Sequence, residues 1–407
     1  MDIIDKQRNK IIGRVLFILY PILYLPSIVL GIYNKKKCAL FYLSIFLGLI
    51  AYLYPPTGDL YRGAMEYYEY GNLNWIQLTQ ELEGKFDFLL SIFMWLLSKL
   101  NFPPDVARLV YVVVGSYIIF LLFDDIAQKR CFSKKLYIIL FVCILLIVRY
   151  SYFMYRFGFS LSLFTYGVYL YINNKRKIHA FIFFIVAILN HFSYSIFVLL
   201  FFFSMFLKYN GNRNLALAFF IGSFIFSGDI VSNIIRVLPV DVTIVNHLLI
   251  YTDGYYGGEY MTNHSFNYFL LTKLSQCNYV VLFILFFQLY KPSIYAGWIT
   301  ILLFINLLIS PFPAASGRIE IIVVFTTLIY ILNNIDSYLC LKTKKNIKFL
   351  LFTGCFYTLI CTWSIRRELS ISNEYKLLLP TLFIFSSSYD YQWMHENVNF
   401  DGSPILK

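Results

Sequence analysis

Uninterrupted apolar runs, each about 15–22 residues long, recur along this chain from Ile11 to Ser364. A run of that length is what an α-helix needs to cross the hydrocarbon core of a bilayer. Strands of a transmembrane barrel would alternate apolar and polar residues instead. The runs therefore predict an all-α fold, a multi-pass transmembrane helical bundle that forms a single domain over residues 1–407.

The composition agrees with a membrane protein. Hydrophobic residues make up 59% of the chain and charged residues 14%, whereas soluble domains have about 45–50% and about 25%. The net charge of +12 comes from short basic clusters between apolar runs, which is how orientation in a membrane is set, so we expect no nucleic-acid partner. The seven cysteines form no CxxC pair, and we expect neither a metal site nor a disulfide framework.

The runs predict about 11–13 membrane segments, one of them re-entrant. The re-entrant segment is Phe86–Leu100, which is short and is followed by Pro103 and Pro104. Full spans are predicted at residues 11–32, 39–54, 106–123, 136–154, 157–172, 178–192, 194–207, 215–237, 279–290, 295–310, 319–339 and 348–364.

Basic clusters between the runs predict the orientation, because cytoplasmic loops are enriched in lysine and arginine. This rule places a first loop, residues 55–85, and a second loop, residues 238–277, on the periplasmic face. By the same rule the basic N-terminus would be cytoplasmic, which contradicts this orientation unless Pro21 and Pro26 break the first run. The side of the C-terminal tail, residues 365–407, stays open. The clusters assigned to the cytoplasm are Asn34–Lys37, Gln128–Lys135, Asn173–Lys177, Lys208–Arg213 and Lys342–Lys348.

Arginines interrupt or border the apolar sequence at several points. An arginine at mid-membrane costs about 2.5–3.5 kcal/mol on insertion scales, so those that are retained usually face a polar cavity. The planar guanidinium matches phosphate oxygens in pairs, which favours an anionic substrate group such as pyrophosphate. For each arginine the alternative is an anchor at the lipid headgroups. The predicted substrate-binding residues are Arg156 with its neighbour Tyr155, Arg318, Arg149 and Arg62.

The first loop combines tyrosines, acids and amides. This mixture suits carbohydrate, because sugar rings stack on aromatic faces and hydroxyls bond to carboxylates, although aromatic residues also form the ordinary belt at a membrane interface. Asp59 in this loop and His191 are the candidate catalytic residues, since each can accept a proton. The alternative for His191 is a neutral ring bonded to a neighbouring backbone carbonyl. The sequence has no DxD, HExxH, Walker or Rossmann motif, so we expect no metal and no cofactor.

An ordered series of these residues resembles the EpsG-like and Wzy-type O-antigen polymerases over about residues 40–335. A common form of the family pattern has glutamine after the first helix-heading arginine and alanine soon after, where this chain has Phe157 and then Ser160 or Ser162. The series is Gly58-Asp59-x-Tyr61 in the first loop, Arg156 heading a helix, Asn190-His191 closing the next helix, and Arg318-Ile319 opening a later one.

The resemblance implies a GT-C-like, metal-independent glycosyltransferase of the bacterial inner membrane that acts in surface polysaccharide or lipopolysaccharide biosynthesis. Such a polymerase transfers the growing glycan from undecaprenyl pyrophosphate to a lipid-linked repeat unit at the periplasmic face. Its partners would be the lipid-linked oligosaccharide, membrane lipids and a Wzz-type chain-length regulator. The alternatives are an O-antigen ligase, a membrane acyltransferase and a lipid-linked oligosaccharide flippase. His264 in the second loop favours the ligase among them.

Overall fold

The computed structural model describes residues 13–153, 155–173, 176–225, 279–310, 313–335, 341–386 and 389–399, and positions 233, 236, 237, 277, 402, 404 and 405. The regular structure of these residues is helical, with one isolated antiparallel bridge between Val398 and Pro404, so the predicted all-α class is confirmed. The chain folds into two compact units: the first is Met1–Ser195 with Cys361–Lys407, and the second is Ile196–Ile360.

A helical stretch at residues 13–19 opens the described part of the first unit, and the helices numbered below carry it as far as Asn190. The first apolar run is broken where sequence predicted a break, because a 3-10 turn at Pro21–Tyr24 precedes α1. The helices are α1 (Leu25–Tyr33), α2 (Lys37–Leu53), α3 (Asp59–Gly71), α4 (Trp75–Glu81), α5 (Leu89–Lys99), α6 (Asp105–Lys129), α7 (Lys134–Phe153), α8 (Tyr155–Asn173) and α9 (Lys177–Asn190).

The second unit is built from long apolar helices held together by aromatic contacts. Phe220 stacks on Phe283 with ring centroids 4.6 Å apart, and Phe286 meets Tyr330 edge-on at 5.1 Å. Its helices, the first of which begins at the unit boundary, are α10 (Tyr194–Leu207), α11 (Arg213–Ile225), α12 (Tyr279–Gln288), α13 (Ile294–Ile309), α14 (Pro313–Asn334) and α15 (Leu341–Ser364).

The segment between α3 and α6 contains the end of the first loop and two short helices, α4 and α5. A capping box starts α4, in which the Asn74 side chain accepts from the Gln77 backbone and the Gln77 side chain accepts from the Asn74 backbone, both at 2.9 Å. Helix α5 has 11 residues, so it is about 16 Å long and too short to cross a hydrocarbon core of about 30 Å. Pro103 and Pro104 then separate it from α6.

One hydrophobic cluster fixes α3, α5 and the start of α6 relative to each other. Fully burying an aliphatic or aromatic side chain contributes about 1.5–3 kcal/mol, so a cluster of this size holds the three helices firmly. Its buried members are Tyr54, Leu60, Leu90, Met94, Leu97, Ala107 and Tyr111.

The C-terminal tail packs against the first loop. It forms three short helices, α16 (Arg366–Ser370), α17 (Thr381–Phe385) and α18 (Tyr391–Asn397). Met394 and Val398 are buried against Tyr61 and Ala64 of α3. The Gly58 amide also donates a hydrogen bond of 2.8 Å to the Gly402 carbonyl.

A buried ion pair lies under the tail at the start of α6. Asp105 and Arg108 are 1% and 4% exposed and pair with each other. The Tyr389 amide donates to the Asp105 carboxylate at 3.2 Å, and the Arg108 guanidinium lies 5.9 Å from the centre of the Tyr389 ring. The Tyr389 hydroxyl donates to the Leu53 carbonyl. Tyr389 therefore joins the tail to α2 and α6 together.

Two helices in the described part of the chain are long and apolar enough to cross a membrane, Asp105–Lys129 and Ser316–Asn334. By length and composition alone this is weak support for a membrane protein, because a core helix of a soluble protein can meet the same test. Shorter apolar helices of 10–17 residues accompany them, among them Lys37–Leu53 and Ile294–Ile309.

Candidate functional site

Arg156 lies in the first turn of α8 and is held from two sides. Its Nε donates to the Asn190 carbonyl at 2.9 Å, and its Nη2 pairs with the Asp87 carboxylate from the loop before α5. The side chain is still 32% exposed, and no hydrogen bond from Nη1 is formed within the described residues. The guanidinium is therefore fixed in place while part of it remains open to a ligand.

The end of α9 provides the support for Arg156. Asn190 is fully buried, and its Nδ2 donates to the Arg156 carbonyl and to Ser160 Oγ, both at 2.8 Å. Ser160 Oγ in turn donates to the Ala187 carbonyl at 3.1 Å. Each of Arg156 and Asn190 thus bonds the backbone of the other, which locks the start of α8 to the end of α9.

A second carboxylate, Glu66 of α3, belongs to the same charged group. Ser91 of α5 donates to Glu66 Oε2 at 3.2 Å. Burial raises the pKa of Glu66, whereas the Ser91 hydrogen bond and then the positive charges of Arg156 and Lys85 lower it. Arg156, Asp87, Glu66, Lys85 and Ser91 are called the Arg156 cluster below.

Sequence reasoning missed Asp87 and Glu66. Asp87 follows Phe86 just before an apolar helix, and Glu66 lies in a loop that is acidic throughout, so neither stands out from ordinary solvated acids. One sequence feature could have pointed to Glu66: Asp59, Arg62 and Glu66 have the spacing i, i+3 and i+7, which places them on one face of a helix.

His191 follows the last residue of α9 in an extended conformation, with φ of −153°. Its Nδ1 lies 2.8 Å from Ser193 Oγ, so a neighbouring hydroxyl engages the ring. The rings of Phe157 and Tyr194 meet it edge-on at 5.6 and 6.0 Å. This partly buried position directly follows Asn190, which supports Arg156.

The structure gives less detail for the other predicted site residues. Arg62 is exposed on α3, and Arg318 is exposed on α14 of the second unit, ahead of buried Ile319. The second loop, including His264, lies largely outside the described part of the chain. For three further predicted residues the structure describes the helical backbone but not the side chain. These three are Asp59, the first residue of α3; Arg149 in α7; and Tyr155, the first residue of α8.

No group of three or more His, Cys, Asp or Glu side chains that could hold a metal ion occurs among the described residues. The Arg156 cluster itself offers two cations, Arg156 and Lys85, and two carboxylates, Asp87 and Glu66. A fixed, partly exposed arginine can neutralise an anionic leaving group, and a carboxylate beside it can accept a proton.

Comparison with known proteins gives one match. A model of the EpsG family matches residues 45–377, which include the whole Arg156 cluster and most of both units. No curated protein and no solved structure shows significant similarity to the chain. The family match extends over far more than half of the sequence. The chain therefore belongs to the EpsG family.

Proposed function

We propose that this protein is a polysaccharide polymerase of the bacterial inner membrane, a multi-pass, GT-C-like and metal-independent glycosyltransferase. It transfers the growing glycan from undecaprenyl pyrophosphate to a lipid-linked repeat unit at the periplasmic face. Membership of the EpsG family supports a membrane protein of polysaccharide biosynthesis that resembles glycosyltransferase polymerases. The two helices of membrane-spanning length agree with it.

The geometry of Arg156 carries the proposal. Release of a glycan from a diphosphate carrier leaves negative charge on the phosphate oxygen, and a preorganised cation at that oxygen stabilises the transition state. Arg156 is preorganised by Asn190 and Asp87 and is partly exposed. By analogy with oxyanion-site deletions, one such donor contributes about 3–4 kcal/mol to lowering the barrier.

The other predicted residues take supporting roles in this proposal. Arg318, Arg149 and Arg62 add positive charge for the diphosphate, and Tyr155 beside Arg156 contacts the substrate. Asp59 or His191 is the general base that the sequence alone favours. A Wzz-type chain-length regulator remains an expected partner.

The membrane arrangement that fits this function has about 11–13 segments, with α5 entering the membrane without crossing it. The first loop and the C-terminal tail lie on the same face, because they pack against each other. With the first loop on the periplasmic side, the Arg156 cluster meets its lipid-linked substrates there.

The test is glycan analysis in a strain whose own gene is deleted and replaced by variants. Arg156→Ala and Arg318→Ala are expected to abolish polymer and to leave single lipid-linked repeats in the membrane. Arg130→Ala, in a basic cluster predicted to be cytoplasmic, is the control and should give normal polymer. Long chains in either site variant at normal protein levels would refute the proposal.

Asp87→Asn separates ligand binding from a structural role of Arg156. It weakens one of the two contacts that position Arg156 but keeps the guanidinium charge, so polymer formation should fall less than in Arg156→Ala if Arg156 binds substrate. Loss of polymer in Asp87→Asn equal to that in Arg156→Ala would show that the ion pair itself is what matters. In the deletion strain, accumulation of complete, unattached chains would indicate a ligase, and absence of outer-face material a flippase.

A further inference from the structure

Two carboxylates lie in the Arg156 cluster, and their surroundings differ. The Asp87 carboxylate is paired directly with the Arg156 guanidinium, so one of its oxygens is already engaged. Glu66 accepts one hydrogen bond within the described residues, from the Ser91 hydroxyl at 3.2 Å. A carboxylate has about four acceptor positions, so Glu66 retains capacity for a substrate hydroxyl.

The helix that carries Glu66 is fixed on two sides. Leu60 of α3 belongs to the hydrophobic cluster that α3 shares with α5 and α6. Tyr61 and Ala64 pack against Met394 of the tail. Glu66 is thus held on a packed helix rather than on a free loop. Ser91, which donates to Glu66, lies four residues after Asp87, which pairs with the arginine that the proposed function assigns to the diphosphate.

We propose that Glu66 is the general base of the glycosyl transfer, a role that rests on the proposed function. The acceptor sugar hydroxyl gives its proton to the Glu66 carboxylate as its oxygen bonds to the anomeric carbon of the donor glycan. The bond from that carbon to the phosphate oxygen breaks, and the electron pair leaves on the diphosphate beside Arg156. The proton then passes from Glu66 to solvent or to the released diphosphate.

The charges around Glu66 suit this step. Arg156 of α8 and Lys85 of the loop before α5 favour its ionised form, Glu69 of its own helix and burial oppose ionisation, and Asp87 partly neutralises Arg156. Burial is the largest effect, so the pKa lies above its ordinary value. A base whose pKa lies closer to the operating pH is the more effective proton acceptor.

Membrane vesicles test the role with lipid-linked glycan extracted from the deletion strain. Glu66→Gln should lower the rate of polymer formation by about 10²–10⁴-fold, the usual contribution of a general base. Glu66→Asp should retain part of the activity because it keeps the carboxylate. Glu69→Gln, an exposed acid one turn further along α3, is the matched control and should stay within about twofold of wild type.

Inorganic pyrophosphate, added as a competitor, reports on the anion site independently. It should inhibit binding of the extracted glycan equally in wild type and in Glu66→Gln, which shows that the variant is folded and lacks only the proton acceptor. If Glu66→Gln polymerises as fast as Glu69→Gln while Arg156→Ala is inactive, the proposed function stands and the role of Glu66 is refuted. If wild-type vesicles form no polymer, the proposed function itself fails.

A pH profile of Ser91→Ala provides a second measurement that does not require a Glu66 variant. Activity needs ionised Glu66, so it rises with pH through the pKa of Glu66. Loss of the Ser91 hydrogen bond removes an interaction that lowers this pKa, so the acidic limb should move to higher pH. An acidic limb that stays in place in folded Ser91→Ala would overturn the proposal.

Discussion

The contact between Gly402 of the tail and Gly58 of the first loop allows a sharp test of how the tail is held. Gly402 has a φ of +86°, and a Cβ added there would lie 2.7 Å from both Cα and N of Gly58. These are backbone atoms, so the contact cannot be relieved by a side-chain rotation. Gly402→Ala is therefore expected to displace the tail from Gly58.

The size of the effect follows from two terms. A left-handed backbone conformation costs an alanine about 1–2 kcal/mol, and losing the 2.8 Å hydrogen bond from the Gly58 amide costs about 0.5–1.5 kcal/mol. Together they disfavour the docked tail by about 1.5–3.5 kcal/mol, which is roughly a 10–400-fold increase in its opening equilibrium.

Amide hydrogen exchange followed by mass spectrometry measures this opening. The Gly58 amide, which donates to the Gly402 carbonyl, should exchange roughly 10–400-fold faster in Gly402→Ala. Gly84→Ala is the matched control, because Gly84 also has a positive φ of +79° but a Cβ there meets no atom within 4 Å. Equal exchange of the Gly58 amide in Gly402→Ala and Gly84→Ala would refute the argument that backbone contact holds the tail.

The remaining predictions concern the buried ion pair and the side of the tail. Arg108→Leu leaves Asp105 charged and unpaired, so the free energy of unfolding should fall by about 3–5 kcal/mol, whereas the double variant Asp105→Asn, Arg108→Leu should lie closer to wild type. Thermal unfolding followed by tryptophan fluorescence compares them, and a double variant no more stable than the single would contradict this. Single cysteines introduced at the exposed positions Ile76 and Glu396 should react with a membrane-impermeant maleimide added on the same side of the membrane. Modification of the two cysteines from opposite sides would disprove the packing of the tail on the first loop.

Helix positions in the apolar runs follow closely from sequence. The run predicted at residues 39–54 is the helix Lys37–Leu53, and the run at 178–192 is Lys177–Asn190. Length and apolarity suffice for such helices, because backbone groups in an apolar setting must bond within their own segment. Helix α3 lacks an apolar run and was missed, since its stability depends on packing against α5 and the tail.

The site was only partly predictable for a related reason. Arg156 stands out because its charge is costly where it lies, and the structure shows it fixed by Asn190. Glu66 is one of several acids in a polar loop, and Asp87 lies at the edge of the predicted re-entrant segment. Their grouping with Arg156 depends on tertiary packing that local sequence does not reveal. The hydrogen bond from Tyr389 to Leu53 joins residues 336 positions apart, and local sequence patterns do not predict contacts at that separation.

Packing of the tail on the first loop sets an order of events during biosynthesis. The first loop is synthesised more than 300 residues before the residues that cover Tyr61 and bond Gly58. A nascent or prematurely terminated chain can insert its helices and still present an open first loop. Synthesis of the tail is thus a condition for completing the packing of the loop that carries Glu66.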